Sequence, residues 1–534
     1  MDRRMFLKNF VGSSILASSM LRSSIAAEHK TGAKNSRPNL LFVMADQFRN
    51  HALGFLGKDP VITPNFDKFA KEGQYLTNAI SSYPVCSPFR AMMMTGRYPF
   101  STGMTFNCLE GLEMGLNRGE VCIGDALKDA GYNTGYIGKW HLDTPSKNYF
   151  DNPPDDPTSG SDAWTPPGLK RHGFDFWYAY NTGREHFNQN YWTGDSPKKI
   201  VKEKTWSVDH ETDVAMNFIN KNSRDDEKPF ALFLSWNPPH PPYVAPRDKI
   251  AFYDENKIEF RPNVKEDKIK NLNKIQRNYF SAVTSCDENF GRLLELLERK
   301  GLTENTLVIF TADHGELLGS HGHMGKDLWY EESANIPFLL RMPGRIKKGE
   351  NDMLFGAFDI MPTLLGLLDI DVPEVCQGQD MSAIIKGEKT DERKSIPLLT
   401  CPAPANKYWE MGNPVRWVRH GRCLGNRGYD WTQLGYRGVR TKRYTYVVTR
   451  SAIPKDPEGF EVCKGYYVGD FCELPPYKDE SSISTQRILY DNLNDEYQMN
   501  PVISKNADNE IMKELENELA LWLEEMKDPF YFVL

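Results

Sequence analysis

The sequence predicts a large α/β domain built on a mixed, mainly parallel sheet flanked by helices, followed by a smaller C-terminal α+β subdomain. Three observations carry this. Short apolar runs end abruptly in polar or charged residues, as buried parallel strands do. Amphipathic helical patterns lie between those runs, and strands alternating with helices define an α/β domain. Near Lys386 to Lys394 the sequence turns charged and loses its periodicity.

Four runs behave as buried strands. Leu40 to Met44 leads to Asp46 and Gln47, and Thr134 to Ile137 leads to Lys139 and His141. Phe230 to Leu234 runs toward His240, and Leu307 to Phe310 ends at Asp313 and His314. Ligands in open α/β sheets bind outside the carboxyl ends of strands, so four ends carrying such residues imply one shared crevice. Helical patterns cover Gly124 to Ala130, Glu211 to Ile219 and Asn278 to Arg299, the last with Phe290, Leu293, Leu294 and Leu297 at helical spacing. Beyond a boundary at about residue 390, short strands and loops precede a last amphipathic helix, Asn509 to Leu523.

Length and composition bound the function. At 534 residues with 40% hydrophobic and 12% aromatic residues, the chain can bury a sizeable core. A net charge of −7 gives no reason to expect a nucleic-acid backbone as partner. The nine cysteines show no C-x-x-C pair and no zinc spacing, and no disulfide pairing is legible. Arg3-Arg4-Met5-Phe6-Leu7-Lys8 precedes an apolar run from Phe10 to Leu21 and the small residues Ser24 to Ala27. The run is short of the roughly 20 residues a membrane span needs. Residues 1–27 therefore read as an export signal of twin-arginine type, with a basic amphipathic arm as the alternative, and export implies a periplasmic or secreted protein. No later segment is long and apolar enough to span a membrane.

Cys86-Ser87-Pro88-Phe89-Arg90 opens a helical pattern, with Ser87 as its expected cap, Pro88 in the first turn and Gly96 at the far end. A cysteine at a helix N-terminus suits a thiolate or a bound anion. Spacing alone leaves a buried structural cysteine equally open.

Cys86 to Arg90, followed by Met94-Thr95-Gly96-Arg97, resembles the signature of the formylglycine-dependent sulfatases of the alkaline phosphatase superfamily. Gly131 to Thr134 and Gly138-Lys139-Trp140-His141 are similar to that family's second signature. Asp46, His240 in Pro238-Pro239-His240-Pro241, Asp313-His314-Gly315-Glu316 and Lys326 extend the match from about Pro38 to Leu489-Tyr490-Asp491. Phe89 stands where a small residue is common. Asp46-Gln47 and Asp313-His314 stand where many members carry Asp-Asp and Asp-Asn.

The resemblance implies an alkaline-phosphatase-like catalytic domain, which the charged, aperiodic stretch near 390 bounds to residues 38–390, leaving 391–534 as the C-terminal subdomain. It implies that a maturation enzyme oxidises Cys86 to formylglycine (3-oxoalanine), whose hydrate is the nucleophile. It also implies a divalent cation held by Asp46, Gln47, Asp313, His314 and the modified residue 86. Calcium is the expected ion, with Mg²⁺ or Mn²⁺ as alternatives, because oxygen ligands suit hard cations and an imidazole leans softer. By the same resemblance Lys139 and Lys326 bind sulfate, and Arg90 orients residue 86. Asp313 helps deprotonate the attacking hydroxyl, His240, alone or together with Lys326, protonates the leaving oxygen, and His141 is the base that lets sulfate depart.

The resemblance implies sulfate esters as substrates, and the expected export together with an aromatic stretch favours a sulfated polysaccharide or its oligosaccharides over small aryl sulfates. Trp164 to Trp192 is rich in aromatics, with Arg184 and His186, and suits a sugar ring or packing under a long loop. Arg437, Arg440 and Arg443 either face an anionic substrate or are solvated. A phosphonate monoester or phosphodiester hydrolase on the same nucleophile is the alternative activity. A glycan-binding protein that has lost catalysis is the remote one.

Overall fold

The computed structural model describes residues 37–108, 114–144, 162, 164–183, 185–197, 199–223, 228–265, 267, 269–389, 393–401, 431–451 and 484–531. The export signal expected at 1–27 and Arg184 lie outside these residues. The main sheet has ten strands: β1 (Asn39–Asp46), β2 (Gln74–Ile80), β3 (Asn133–Lys139), β4 (Phe176–Tyr180), β5 (Gln189–Trp192), β6 (Ile200–Glu203), β7 (Phe230–Pro239), β8 (Thr306–Ala312), β9 (Phe338–Arg341) and β10 (Gly349–Gly356). Their spatial order is β10-β2-β9-β8-β1-β7-β3-β4-β5-β6.

The four runs that end in polar residues are the consecutive central strands β8, β1, β7 and β3, which run parallel to one another. β1, β7 and β8 are buried along their whole length, which explains their continuous apolar character. The edges are mixed: β9 runs antiparallel to β2 and β8, and β5 to β4 and β6. The β1/β7 register shifts between Ala45 and Asp46, where the strands open toward the crevice.

Helices flank the sheet. Leu272–Arg299 begins six residues before the predicted start and packs against β7 and the helix Ser207–Asn222, burying Tyr279, Phe290, Leu293 and Leu297. Both helices outrun the sequence expectation because tertiary packing extends them past their clearest apolar periodicity. The helix Cys86–Thr95 is buried at every position and packs against Ile123–Asp129 and Ile360–Leu367.

A second sheet, wholly antiparallel, has the order β11 (Ile396–Thr400), β12 (Gly435–Arg440), β13 (Tyr444–Ser451), β14 (Ser484–Asp491) and β15 (Val502–Ser504). The helix Glu510–Met526 covers it. Asn509 caps that helix by accepting from Met512 N–H at 2.8 Å. Met512, Leu515, Leu519, Trp522 and Met526 form its buried stripe. Leu399 N–H donates to Ser82 O at 2.9 Å, tying this sheet to the segment just before Cys86.

One local expectation is corrected and two open readings are resolved. Ser87 is not the helix cap: Cys86 is the first helical residue, and the Ser87 hydroxyl donates to His141 O at 2.7 Å while accepting from Cys108 N–H. Arg437 and Arg440 are buried in ion pairs with Asp528 and Glu331, whereas Arg443 pairs with Asp491 on the surface, as the solvated reading has it. Of the aromatic stretch, Phe174, Trp177, Tyr180, Tyr191 and Trp192 are buried in packing, so of its two readings the packing one describes most of it.

Candidate active site

The four central strands deliver their terminal residues to one point. Asp46 closes β1 and Gln47 follows in a left-handed conformation (φ 63°), which turns its side chain into the crevice. Lys139 closes β3, and His141, also left-handed (φ 53°), stands two residues on. β3 can approach β7 this closely because Gly138 has no side chain: a Cβ there would lie 2.1 Å from Ser235 O. His240 follows β7 between two cis prolyl bonds, Pro238–Pro239 and Pro241–Pro242. Asp313 and His314 follow β8, and Lys326 comes from the loop beyond them.

Cys86 lies at the centre. Its Sγ is 3.2 Å from His314 Nε2, 3.2 Å from Lys326 Nζ and 3.9 Å from Asp46 Oδ1. Arg90, one helical turn on, faces the same side. Its guanidinium contacts Asp46 Oδ2 at 2.9 Å, Asp313 Oδ2 at 3.0 Å, Lys139 O at 2.8 Å and Ser235 Oγ at 2.9 Å. Lys139 Nζ is 2.7 Å from Asp46 Oδ2 and 3.3 Å from Asn237 Oδ1.

This arrangement divides the labour of each carboxylate. Asp46 Oδ2 and Asp313 Oδ2 are held by cations. Asp313 Oδ1 accepts from the Gln47 and His314 backbone N–H groups, each at 3.0 Å. Asp46 Oδ1 faces His314 Nε2 at 3.8 Å. His314 Nδ1 is 3.0 Å from Gly315 O; as donor there, it leaves Nε2 facing the carboxylates, where, against burial, Asp313 raises its affinity for a proton and a bound metal ion would take the same position. One ligand atom each from Asp46, Cys86, Asp313 and His314 lies within 4.8 Å of the others, and Gln47 Oε1 adjoins them through Lys326 Nζ at 2.9 Å. Two carboxylate oxygens, an amide oxygen and an imidazole nitrogen fit a divalent cation.

The electrostatics follow. Burial opposes ionisation of Asp46, but Lys139, His240, Arg90 and Lys326 hold its carboxyl well below the usual range. Burial and neighbouring Asp46 raise Asp313. Burial and Asp46 also oppose a Cys86 thiolate, yet Lys326, Lys139 and His314 bring the thiol down to about 6. Burial and Lys139 lower the affinity of His141 and His240 for a proton, with Arg90 adding to the effect on His141 and Lys326 to that on His240. Both ring nitrogens of His141 are buried without a hydrogen-bond partner. His240 Nδ1 sits 2.7 Å from Pro241 O, which directs Nε2 away from that carbonyl.

The structure thus gathers Asp46, Gln47, Cys86, Arg90, Lys139, His141, His240, Asp313, His314 and Lys326 around one crevice. It adds groups that sequence reasoning missed. Ser235 and Asn237 hold Arg90 and Lys139, and their position at the β7 end, just before the Pro238-Pro239-His240 motif, was the available signal. His186, first read with the aromatic stretch, is buried with Nε2 at 2.5 Å from His240 O.

The sulfatase family model matches residues 38–370. The chain is 33% identical to an endo-4-O-sulfatase of Bacteroides thetaiotaomicron, over 95% of each protein. It is 30% identical to an ulvan-active sulfatase of Formosa agariphila, over 93% of this chain and 83% of that one. A solved structure reported with glycosaminoglycan metabolism by Bacteroides thetaiotaomicron superposes with a TM-score of 0.77 at 32% identity, covering 92% of this chain and 97% of the other. The chain belongs to the sulfatase family, within the alkaline phosphatase superfamily. It is a sulfuric ester hydrolase.

Proposed function

We propose that the protein is exported and removes sulfate from a sulfated polysaccharide or its oligosaccharides, using a formylglycine that a maturation enzyme makes from Cys86. The observation that carries this reading is the position of Cys86. It lies at the start of a buried helix, with Lys326 at 3.2 Å, and belongs to the cluster it forms with Asp46, Asp313 and His314. The names of its relatives, one acting on ulvan and one an endo-4-O-sulfatase, support a polymeric carbohydrate.

A divalent cation, calcium by the oxygen content of the site, would be held by Asp46, Gln47, Asp313, His314 and residue 86. When bound, it supplies charge neutralisation at the ester oxygens and at the nucleophile. The aldehyde hydrate on residue 86 supplies the attacking hydroxyl and a second hydroxyl from which sulfate release is driven. The chain's own groups do the rest. Lys139 and Lys326 bind the sulfate oxygens and orient sulfur for in-line attack. Arg90, fixed by Asp46, Asp313 and two further acceptors, keeps its helix turn and residue 86 in place. Asp313, with its raised affinity for a proton, takes the proton of the attacking hydroxyl. With a bound sulfate answering the Lys139 and Lys326 charges that otherwise disfavour it, a protonated His240 gives its proton to the departing sugar oxygen, and His141, with both ring nitrogens unengaged, takes the proton whose loss expels sulfate.

Mass spectrometry of the peptide carrying residue 86 tests the nucleophile, with the aldehyde expected after coexpression with a formylglycine-generating enzyme. Sulfate and phosphate esters of the same alcohol then test the reaction. Faster turnover of the sulfate ester supports the reading, and faster turnover of the phosphate ester overturns it in favour of phosphoryl chemistry.

A further inference from the structure

Glu316 is a buried carboxylate two residues past His314, outside the set of catalytic and metal-binding groups above. All of its hydrogen bonds are received. Oε1 accepts from the backbone N–H groups of Leu318 at 2.8 Å and Gly325 at 2.6 Å. Oε2 accepts from the Tyr243 hydroxyl at 2.9 Å and from the Gln47 side-chain amide Nε2. The other end of that amide, Gln47 Oε1, accepts from Lys326 Nζ at 2.9 Å.

The amide of Gln47 therefore lies between an acceptor-only carboxylate and a donor-only ammonium, and only one orientation satisfies both. Turning it over would set Nε2 against the Lys326 ammonium and Oε1 against the Glu316 carboxylate. We propose that Glu316 is the positioning residue that makes Gln47 usable as a metal ligand, by locking its amide with the oxygen toward the cation and Lys326. The proposal rests on the reading of Gln47 as a ligand. It explains how glutamine, with one coordinating oxygen instead of two, serves at a position where a carboxylate needs no such lock. The same carboxylate ties down Gly325 N–H, next to Lys326, so one group sets the geometry of a ligand and of a sulfate-binding lysine.

The experiment is calorimetric calcium titration of the full, chelator-stripped protein, in a cycle of Glu316→Gln with Gln47→Asp. In Glu316→Gln the two backbone donors keep the remaining oxygen, so the new amide nitrogen faces Gln47 and forces its amide over. Calcium affinity should fall by about 10- to 100-fold, the usual consequence of losing a group that orients a metal ligand. In the Gln47→Asp background either orientation of the side chain presents an oxygen, and adding Glu316→Gln should change affinity by less than about 3-fold, close to the spread within which uncoupled changes add. Tyr243→Phe, which removes one donor from Glu316 and leaves the backbone contacts intact, should give a smaller loss of the same sign, so the proposal stays testable if Glu316→Gln folds poorly. Equal losses from Glu316→Gln with and without Gln47→Asp would overturn the proposal and leave Glu316 a loop anchor. So would wild-type affinity in Glu316→Gln or in Tyr243→Phe. If wild type binds no calcium and Asp313→Ala changes nothing, the metal reading itself fails, an outcome distinct from calcium binding that Glu316 does not influence.

Discussion

Lys326 Nζ lies 3.2 Å from Cys86 Sγ, in a site closed to solvent on the helix side. A cation at this distance is well placed to neutralise a sulfate group attacked from residue 86, and its effect should not depend on which alcohol leaves. Lys326→Met is therefore expected to lower kcat/KM by about 10²- to 10³-fold, the range seen when one charge-stabilising donor is removed. The loss should be similar for activated aryl sulfates and for sugar sulfates, as parallel kinetics on the two would show.

His240 makes the opposite prediction. A proton donor matters most when the leaving group is a poor one, so His240→Ala should cost about 10²- to 10⁴-fold on a sugar sulfate and far less on a nitrophenyl sulfate. Equal losses on both would remove His240 from the proton-donor role.

The central sheet was legible in the sequence because its strands are buried on both faces and end in residues that cannot belong to a core. Leu40 to Asp46 and Leu307 to Asp313 show this directly. What stayed hidden depends on contacts between distant residues. Ser87 has the composition of a helix cap, but its hydroxyl is claimed by His141 O, 54 residues away. Arg437, Arg440 and Arg443 look like free cations until folding brings Asp528, Glu331 and Asp491 to them. The Gln47–Glu316 contact joins residues 269 apart, and no local pattern encodes which way an amide faces.

The ligand cluster predicts a stability effect separable from turnover. Calcium at about 100 times its dissociation constant should stabilise the fold by about 2.7 kcal/mol. Thermal melts with and without a strong chelator should differ in wild type and coincide in Asp313→Ala. Coincident melts in wild type would count against the cation site.

Glu211 predicts a pH dependence unrelated to the ligand cluster. It is fully buried, with Oε1 accepting from the Tyr180 and Tyr191 hydroxyls and Oε2 without a partner. Burial raises its carboxyl from the ordinary 4.5 to about 8, against the pull of those two hydroxyls. Above pH 4.5 the unfolded chain loses this proton while the folded chain keeps it, so the group lowers stability progressively up to about pH 8. Glu211→Gln should leave stability at pH 5 nearly unchanged and raise it at pH 8 by about 1–3 kcal/mol, read by denaturant unfolding at the two values. An unchanged pH slope would show that Glu211 is ionised in the fold.

The most direct test of the central claim is inorganic sulfate release from a panel of sulfated oligosaccharides by protein matured to the aldehyde, with Cys86→Ala as the paired control. The account predicts sulfate from at least one linkage with wild type and none with Cys86→Ala, which should remain folded by circular dichroism. Sulfate release by Cys86→Ala at the wild-type rate would contradict it.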